Sequence, residues 1–353
     1  MTYPWKDKIS NHKQLGGIET STLDNGAGRG VRIAWMDTGA GFRYKIVLDR
    51  GMDIAEAFYQ EKSLAWISHA GITSPQPLSD QGLHWLRTFG GGLLTTCGLD
   101  HVGGPEEDEF GSRGIHGKIS NQIAEITSIV QPDIHAGKLD MSISGIIRQH
   151  VIFGPCLTLK RTISGRLGEA FLKIEDEIIN EGNTNAPLML LYHFNFGWPL
   201  VDEGTKIVAN GTWKYRFEGT QDALIFKEGN DYKTCPAPLD IHVGGGEEVA
   251  FIDAATDAQH QVVCGLYNEK LGLGVKMSYD KRELPSLTNW QHWGKDEYVT
   301  GIEPGTNPPI GQKAAREEGS LLFLAPRASK RFSVTLEVLD QQKQTEKLTN
   351  FIQ

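Results

Sequence analysis

Alternation of apolar and polar residues is the feature that most limits what this chain can fold into. Near the C-terminus four apolar residues occupy every second position: Phe332, Val334, Leu336 and Val338. Successive side chains of a β-strand point to opposite faces, so this pattern predicts a strand with one buried face. Residues 171–178 alternate similarly, although Asp176 interrupts their apolar face. Further strands are predicted at 44–48, 157–163, 188–196, 249–252, 272–278 and 320–324.

Turn motifs separate these predicted strands. Asn-Gly pairs at 25–26 and 210–211 are typical of tight turns, and the 41 glycines among 353 residues fit a chain with many of them. One short helix is predicted over about residues 79–89, with Ser79 as its N-cap. Many short strands with few short helices favour a sandwich or barrel. We therefore predict one large two-sheet β-sandwich domain over residues 1–353, with a short polar tail at about 341–353.

Charge and composition exclude several classes of partner. The chain has 35 basic and 44 acidic residues, a net charge of −9, and no long basic run, so nucleic acid is not an expected partner. No apolar run approaches the roughly 20 residues of a membrane helix. The N-terminal residues lack the apolar core of a signal peptide. We expect a cytoplasmic protein with no membrane partner, and the oligomeric state is left open.

Metal and thiol chemistry have little support in the sequence. The four cysteines are scattered, without the paired spacing of a zinc site or a disulfide framework. Cys97 has no activating neighbour in sequence, and small cysteines are commonly just buried. His84, His101 and His116 lack a metal-ligand spacing. We therefore expect no metal.

Two histidines occupy unusual surroundings. His193 lies among aromatic residues of a predicted strand, and Asn195, two positions on, shares its face. His116 precedes Gly117 in a glycine-containing segment. Histidine titrates nearest to neutral pH, which suits a general acid or base. The alternatives are a core histidine bonded to a backbone carbonyl for His193 and an ordinary turn residue for His116.

An acid and an aromatic block lie close together near the C-terminus. Glu303 falls in the sequence Gly-Ile-Glu-Pro-Gly, which we interpret as a turn. Trp290 and His292 belong to the preceding stretch Asn-Trp-Gln-His-Trp. Aromatic rings stack on the C–H faces of sugars, so this block suits carbohydrate, with core packing as the alternative.

Two arginines are candidates for contacts with a ligand. Arg87 precedes three consecutive glycines and is either a donor above a glycine-rich pocket floor or a cation at the end of a helix. Arg50 lies close to Asp49 and Asp53, so a structural ion pair is the alternative to ligand binding.

The ordered set of Arg87, His116-Gly117, His193 and Glu303 resembles the aldose 1-epimerase (galactose mutarotase) superfamily. Residues 48–54, 116–119, 191–197 and 301–304 resemble most closely a bacterial branch of epimerase-like proteins, and the resemblance extends from about residue 50 to 338. It implies a large antiparallel β-supersandwich with a sugar-binding cleft on one sheet. The implied reaction interconverts the anomers of a free sugar by ring opening and reclosure, without a cofactor.

The resemblance also implies roles for individual residues. Glu303 would match the catalytic base and His193 the catalytic acid, and we expect each to favour the charged form of the other. His116 would match the second histidine, near the ring oxygen, and Arg87 the substrate-binding arginine. The remaining predicted contacts to substrate are Asn195, Arg50, Trp290 and His292.

The sequence does not identify the sugar. Well-studied mutarotases carry an aspartate that binds sugar hydroxyls, for which Asp240 and Asp253 are candidates. An acidic sugar is another possible substrate, because four basic residues could bind its negative group: Arg50, Arg87, Arg113 and Lys118. Two other functions stay under consideration, a non-catalytic carbohydrate-binding or sensing protein on the same scaffold and a metal-dependent sugar isomerase of the cupin type.

Overall fold

β-Strands make up most of the regular secondary structure of the described residues, as the alternation predicted. The computed structural model describes residues 7–76, 78–216 and 231–341, together with Trp5, Lys347, Asn350 and Phe351. Within these ranges the strands are β1 Gly17–Thr22, β2 Arg32–Asp37, β3 Phe42–Val47, β4 Asp53–Tyr59, β5 Lys62–Ser63, β6 Leu94–Leu99, β7 Glu106–Asp108, β8 Gly111–Arg113, β9 Ala124–Val130, β10 Asp140–His150, β11 Cys156–Arg166, β12 Phe171–Asn180, β13 Ala186–Phe196, β14 Lys206–Ala209, β15 Gly211–Tyr215, β16 Glu248–Ala254, β17 Gln261–Asn268, β18 Leu273–Asp280, β19 Ser286–Gly294, β20 Glu297–Gly305, β21 Leu322–Leu324 and β22 Ser329–Asp340.

Two large antiparallel sheets stack on each other. One has the order β1-β2-β3-β4-β6-β13-β20-β19-β16-β15, with β21 and β5 paired off this path. The other has the order β14-β17-β18-β22-β12-β11-β10-β9, and β7 and β8 form a separate hairpin. Apolar residues from the inner faces of both large sheets form one continuous core. The predicted large antiparallel β-sandwich is confirmed.

The strand pair β12–β22 shows how the alternating sequence builds this core. Leu172 pairs with Leu336 and Ile174 with Val334, so the apolar faces of the two strands align. Asp176 occupies the next inward position, where it is buried and bonded to Arg161 of β11. A polar residue on the apolar face is therefore compensated by a buried cation rather than by solvent.

Helices are few and short among the described residues. The α-helix Gln312–Glu317 was not predicted. The helix expected at 79–89 is a single 3-10 turn, His84–Arg87, without a side-chain cap. Gly82 interrupts the earlier part with a φ of +50°, in the left-handed region that an α-helix cannot contain. The other 3-10 turns are His12–Gln14, Gly26–Gly28, Ile119–Asn121 and Asp240–His242.

The predicted polar tail lies largely outside the described residues. Phe351, which is described, is buried against Tyr267 and Leu339. No helix in the described part of the chain is long and apolar enough to span a membrane.

Candidate functional site

Neighbouring strands of the larger sheet bring the principal candidate residues together. Leu191 of β13 pairs with Gly305 of β20, and Phe194 pairs with Ile302. This register places His193 and Glu303 at facing positions of adjacent strands. Glu303 therefore lies within β20 rather than in the expected turn, and its side chain is 2% exposed. On the other side of Glu303, β19 contributes Thr288 as its paired residue.

These residues lie at a cavity of about 300 Å³. Its polar lining includes His116, His193, Arg216, Glu247, Thr288 and Glu303. Aromatic and aliphatic side chains form much of the remaining wall: Leu83, Trp85, Leu86, Phe89, Ile115, Val249 and Trp290. A volume of this size lies at the small end of ligand pockets and suits a small molecule.

His193 and Glu303 form the closest pair of titratable groups in this cavity. The Nε2 atom of His193 lies 3.3 Å from Oε1 of Glu303, and both side chains are buried. Neither His193 Nδ1 nor Glu303 Oε1 has a well-aligned hydrogen-bond partner among the described residues. Since buried polar atoms normally have partners, these two atoms are suited to binding a polar ligand.

Burial favours the neutral form of both members of this pair. It raises the pKa of Glu303 well above its usual value, and the nearby charge of Glu247 raises it further. It lowers the pKa of His193 to about 4, although the Asn195 side chain and Glu247 act in the opposite direction. The expectation that each group keeps the other charged is therefore wrong, because desolvation by burial is the largest influence on the pKa of both groups.

His116 contacts the same cavity from a connecting loop. Its ring centroid lies 5.9 Å from that of His193, with the rings nearly perpendicular. Its backbone has a φ of +59°, and its N–H and carbonyl bond to Gly103 and Gly98. Gly117 follows with a φ of +69°, and a Cβ there would lie 2.4 Å from the Gly98 carbonyl oxygen. Glycine is therefore needed at 117 to hold His116 in place.

Arg216 and Glu247 are cavity residues that sequence reasoning did not identify. Glu247 accepts a short hydrogen bond from Arg216 and a second, of 2.8 Å, from Nε1 of Trp290. Burial opposes ionisation of Glu247, but Arg216 outweighs it and the pKa of Glu247 is lowered. The one local signal for this position was the glycine run 244–246 just before it.

Trp290 lies in the cavity wall as expected for a ligand-stacking residue. Its ring centroid is 5.4 Å from that of His193 in an edge-to-face arrangement. His292, on the same face of β19, stacks on Trp290 but does not line the cavity. Its Nδ1–H donates instead to the Gly246 carbonyl at 2.5 Å, which fixes the loop that leads to Glu247.

Asn195 and Arg87 also lie outside the lining residues. The Asn195 amide donates to the carbonyls of Gly92 and His193, so it supports the strand that carries His193. Arg87 is exposed at the end of its 3-10 turn, where its neighbour Leu86 faces the cavity instead. The 3-10 turn that replaces the expected α-helix thus carries Arg87 as an exposed residue outside the cavity lining.

Arg50 has a structural environment, although not the ion pair considered for it. Its guanidinium donates to the backbone carbonyls of Ser120, Thr73 and Thr88, which ties three loops together. It borders a different cavity, of about 320 Å³, rather than the one that contains His193. Asp49 pairs with Arg32 instead.

Neither candidate aspartate approaches the cavity. Asp240 pairs with Lys295 and Asp253 with Lys281, and both aspartate side chains are mostly exposed. Glu247 is the acid that lies between His193 and Glu303 in sequence and also lines the cavity. Within the described ranges, no group of three or more His, Cys, Asp or Glu side chains is arranged to hold a metal ion.

Solved structures with the same architecture define the class of fold. A Klebsiella pneumoniae protein provisionally named an aldose 1-epimerase has a TM-score of 0.83 at 23% identity, over 98% of this chain and 92% of its own. A galactose mutarotase-like protein from Clostridium acetobutylicum has a TM-score of 0.59 at 14% identity, over 92% of this chain and 98% of its own. A Salmonella typhimurium protein provisionally named a mutarotase has a TM-score of 0.56 at 12% identity, over 92% of this chain and 94% of its own. The fold is therefore galactose mutarotase-like.

Within this class the chain belongs to the family described as "Domain of unknown function (DUF4432)", whose model matches residues 28–338. Comparison with curated protein sequences gives no match.

Proposed function

We propose that this protein interconverts the anomers of a free sugar, as an aldose 1-epimerase-like isomerase. The observation that carries the proposal is the buried contact of 3.3 Å between His193 Nε2 and Glu303 Oε1 at the cavity. One acid and one base placed this close can serve the anomeric hydroxyl and the ring oxygen of the same sugar, which are bonded to one carbon. The aromatic residues Phe89 and Trp290 offer faces and edges to the sugar C–H groups.

The proposed reaction needs two proton transfers. Glu303, as the carboxylate, takes the proton of the anomeric hydroxyl while His193, as the imidazolium, donates a proton to the ring oxygen. The bond between C1 and the ring oxygen breaks, and an open-chain aldehyde forms. Rotation about C1–C2 followed by reclosure, with both proton transfers reversed, yields the other anomer. No proton is gained or lost over the cycle.

The neutral forms of Glu303 and His193 that burial favours are the forms expected when the open-chain aldehyde is bound. Carboxylate with imidazolium and carboxylic acid with neutral imidazole contain the same number of protons, so the pair changes form without exchanging a proton with solvent. The neutral pair is the form present when the aldehyde is bound: Glu303 then donates to the aldehyde oxygen and His193 accepts from the C5 hydroxyl. Burial therefore favours the state that accompanies the opened sugar.

The test is the rate of anomer exchange on anomerically pure hexoses and pentoses, measured by polarimetry and by exchange NMR. Glu303→Gln and His193→Asn should each lower the rate by roughly 10²–10⁴-fold, the usual contribution of one positioned proton-transfer group. Glu297→Gln, on the same strand but outside the cavity lining, is the matched control for the acid. His69→Asn, whose side chain is 75% exposed, is the control for the histidine.

Two outcomes would overturn the proposal. A rate equal to that of the wild type in either cavity variant would remove the assigned roles. Sugar binding measured by calorimetry, without any acceleration of anomer exchange by the wild type, would favour the alternative of a non-catalytic carbohydrate-binding protein.

A further inference from the structure

The charges around the cavity bear on which sugars can enter it. Of the described residues that line it, Arg216 is the one Lys or Arg. Its guanidinium is bonded to Glu247, which also accepts from Trp290. This cation of the described lining is thus already matched by a carboxylate.

The other basic residues considered for an acidic substrate are committed elsewhere. Arg113 bonds Glu106 at 2.8 Å and Asp108 at 2.6 Å. Lys118 lies 3.2 Å from Asp80. Arg50 donates to backbone carbonyls beside a different cavity, and Arg87 is exposed outside the lining.

The remaining titratable groups of the cavity add no positive charge. Burial lowers the pKa of His116 well below its usual value, and the adjacent His193 contributes to the shift. Burial also lowers the pKa of His193 to about 4, and in the ionised form used in the reaction its charge is balanced by that of Glu303. Glu303 and Glu247 are both acids, so the described lining residues form a neutral or negative surface.

We infer that the Glu247–Arg216 pair makes this cavity select neutral sugars over sugars that carry a carboxylate or a phosphate. The inference rests on the proposed function and specifies its substrate class. A carboxylate or phosphate on the sugar would be placed beside Glu247, with no unmatched Lys or Arg among the described lining residues to meet it. It would also lose its hydration on entry. Like charges placed together at a binding surface weaken binding. Glu247 is then a specificity-determining residue that keeps Arg216 occupied.

The experiment measures binding rather than turnover, so it does not depend on the rate of the chemical step. Glucose, glucuronate and glucose 6-phosphate differ only at C6, as do galactose, galacturonate and galactose 6-phosphate. Their affinities for the wild type are measured by calorimetry and by NMR saturation transfer. The neutral member of each set should bind on the order of 100-fold more tightly than its anionic counterparts.

Removing the charge of Glu247 tests the role of the pair. Glu247→Gln should raise the affinity for the anionic sugars by at least about tenfold, because the variant removes the carboxylate that repels an anion and offsets the charge of Arg216. Adding Arg216→Ala to this variant should abolish the gain. Asp240→Asn, which makes the same change of charge at an exposed acid outside the cavity, should leave the preference unchanged.

The outcomes separate this inference from the proposed function. Binding of a uronate or a sugar phosphate by the wild type as tightly as the neutral sugar would overturn the inference and leave the proposed function standing. An unchanged preference in Glu247→Gln would also overturn it. If none of these sugars bound, neutral or anionic, the result would count against both.

Discussion

Replacing Asp176 by asparagine should destabilise the protein strongly, although the new side chain has almost the same size. Asp176 and Arg161 are fully buried between the sheets, and the carboxylate accepts two hydrogen bonds from the guanidinium, of 2.9 and 2.7 Å. Tyr192 donates a third, of 2.7 Å. Burial opposes the charge of Arg161, but Asp176 outweighs it and raises the pKa of Arg161. An arginine guanidinium is not deprotonated in proteins, so Arg161 would remain charged after the substitution.

The expected magnitude follows from the cost of leaving a buried charge without its partner, about 3–5 kcal/mol of unfolding free energy. Asp53 lies 3.4 Å from Arg161 and supplies part of the missing negative charge, so the loss should fall near the lower end of this range. Glu175→Gln is the matched control, since Glu175 is the preceding residue of the same strand, with a side chain 51% exposed. Removing that exposed ion pair should cost at most about 1 kcal/mol.

Urea denaturation followed by circular dichroism and fluorescence would measure the difference between the two variants. Arg161→Met should cost at least as much, because it leaves the buried carboxylates of both Asp176 and Asp53 without their shared cation. A loss below 1 kcal/mol in either Asp176→Asn or Arg161→Met would refute this account of the core.

Three further predictions concern the site. Between pH 6.5 and about 4 the unfolded chain binds more protons at His193 than the folded protein does, so the unfolding free energy should fall as the pH is lowered through this window. His193→Asn should make the unfolding free energy, measured by denaturation at each pH, depend less steeply on pH. Gly117→Ala should lower the unfolding free energy by more than 1 kcal/mol, and it should weaken sugar binding by displacing His116. The control is Gly104→Ala, which should leave the unfolding free energy nearly unchanged because no atom lies within 4 Å of its added Cβ. Arg87→Ala should keep the rate of anomer exchange within about twofold of the wild type, as measured by polarimetry, because surface substitutions away from a site have small effects; a large loss would place Arg87 back among the substrate contacts.

Much of the fold and part of the site could be predicted from the sequence. The period-2 pattern located β12 and β22 because each strand has one face in the core and one in solvent. Buried positions are therefore mostly apolar and exposed positions mostly polar, which makes the strand recognisable in the sequence. His193 and Glu303 could be named because their unusual neighbours and their order along the chain resemble a known family. The 3-10 turn at His84–Arg87 was mistaken for a longer helix because helical spacing of apolar residues does not reveal where the backbone is interrupted.

Only the tertiary structure showed which charged residues reach the cavity. Arg87 and Arg216 have equally polar side chains, yet strand pairing brings Arg216 beside Glu247 and leaves Arg87 in solvent. Burial, which also depends on the assembled sheets, reversed the charge states expected for His193 and Glu303. The sequence determined which chemical groups are available and on which strands they lie. Their partners and their protonation depend on distances and desolvation between segments far apart in the chain, and these exist only once the sheets have packed.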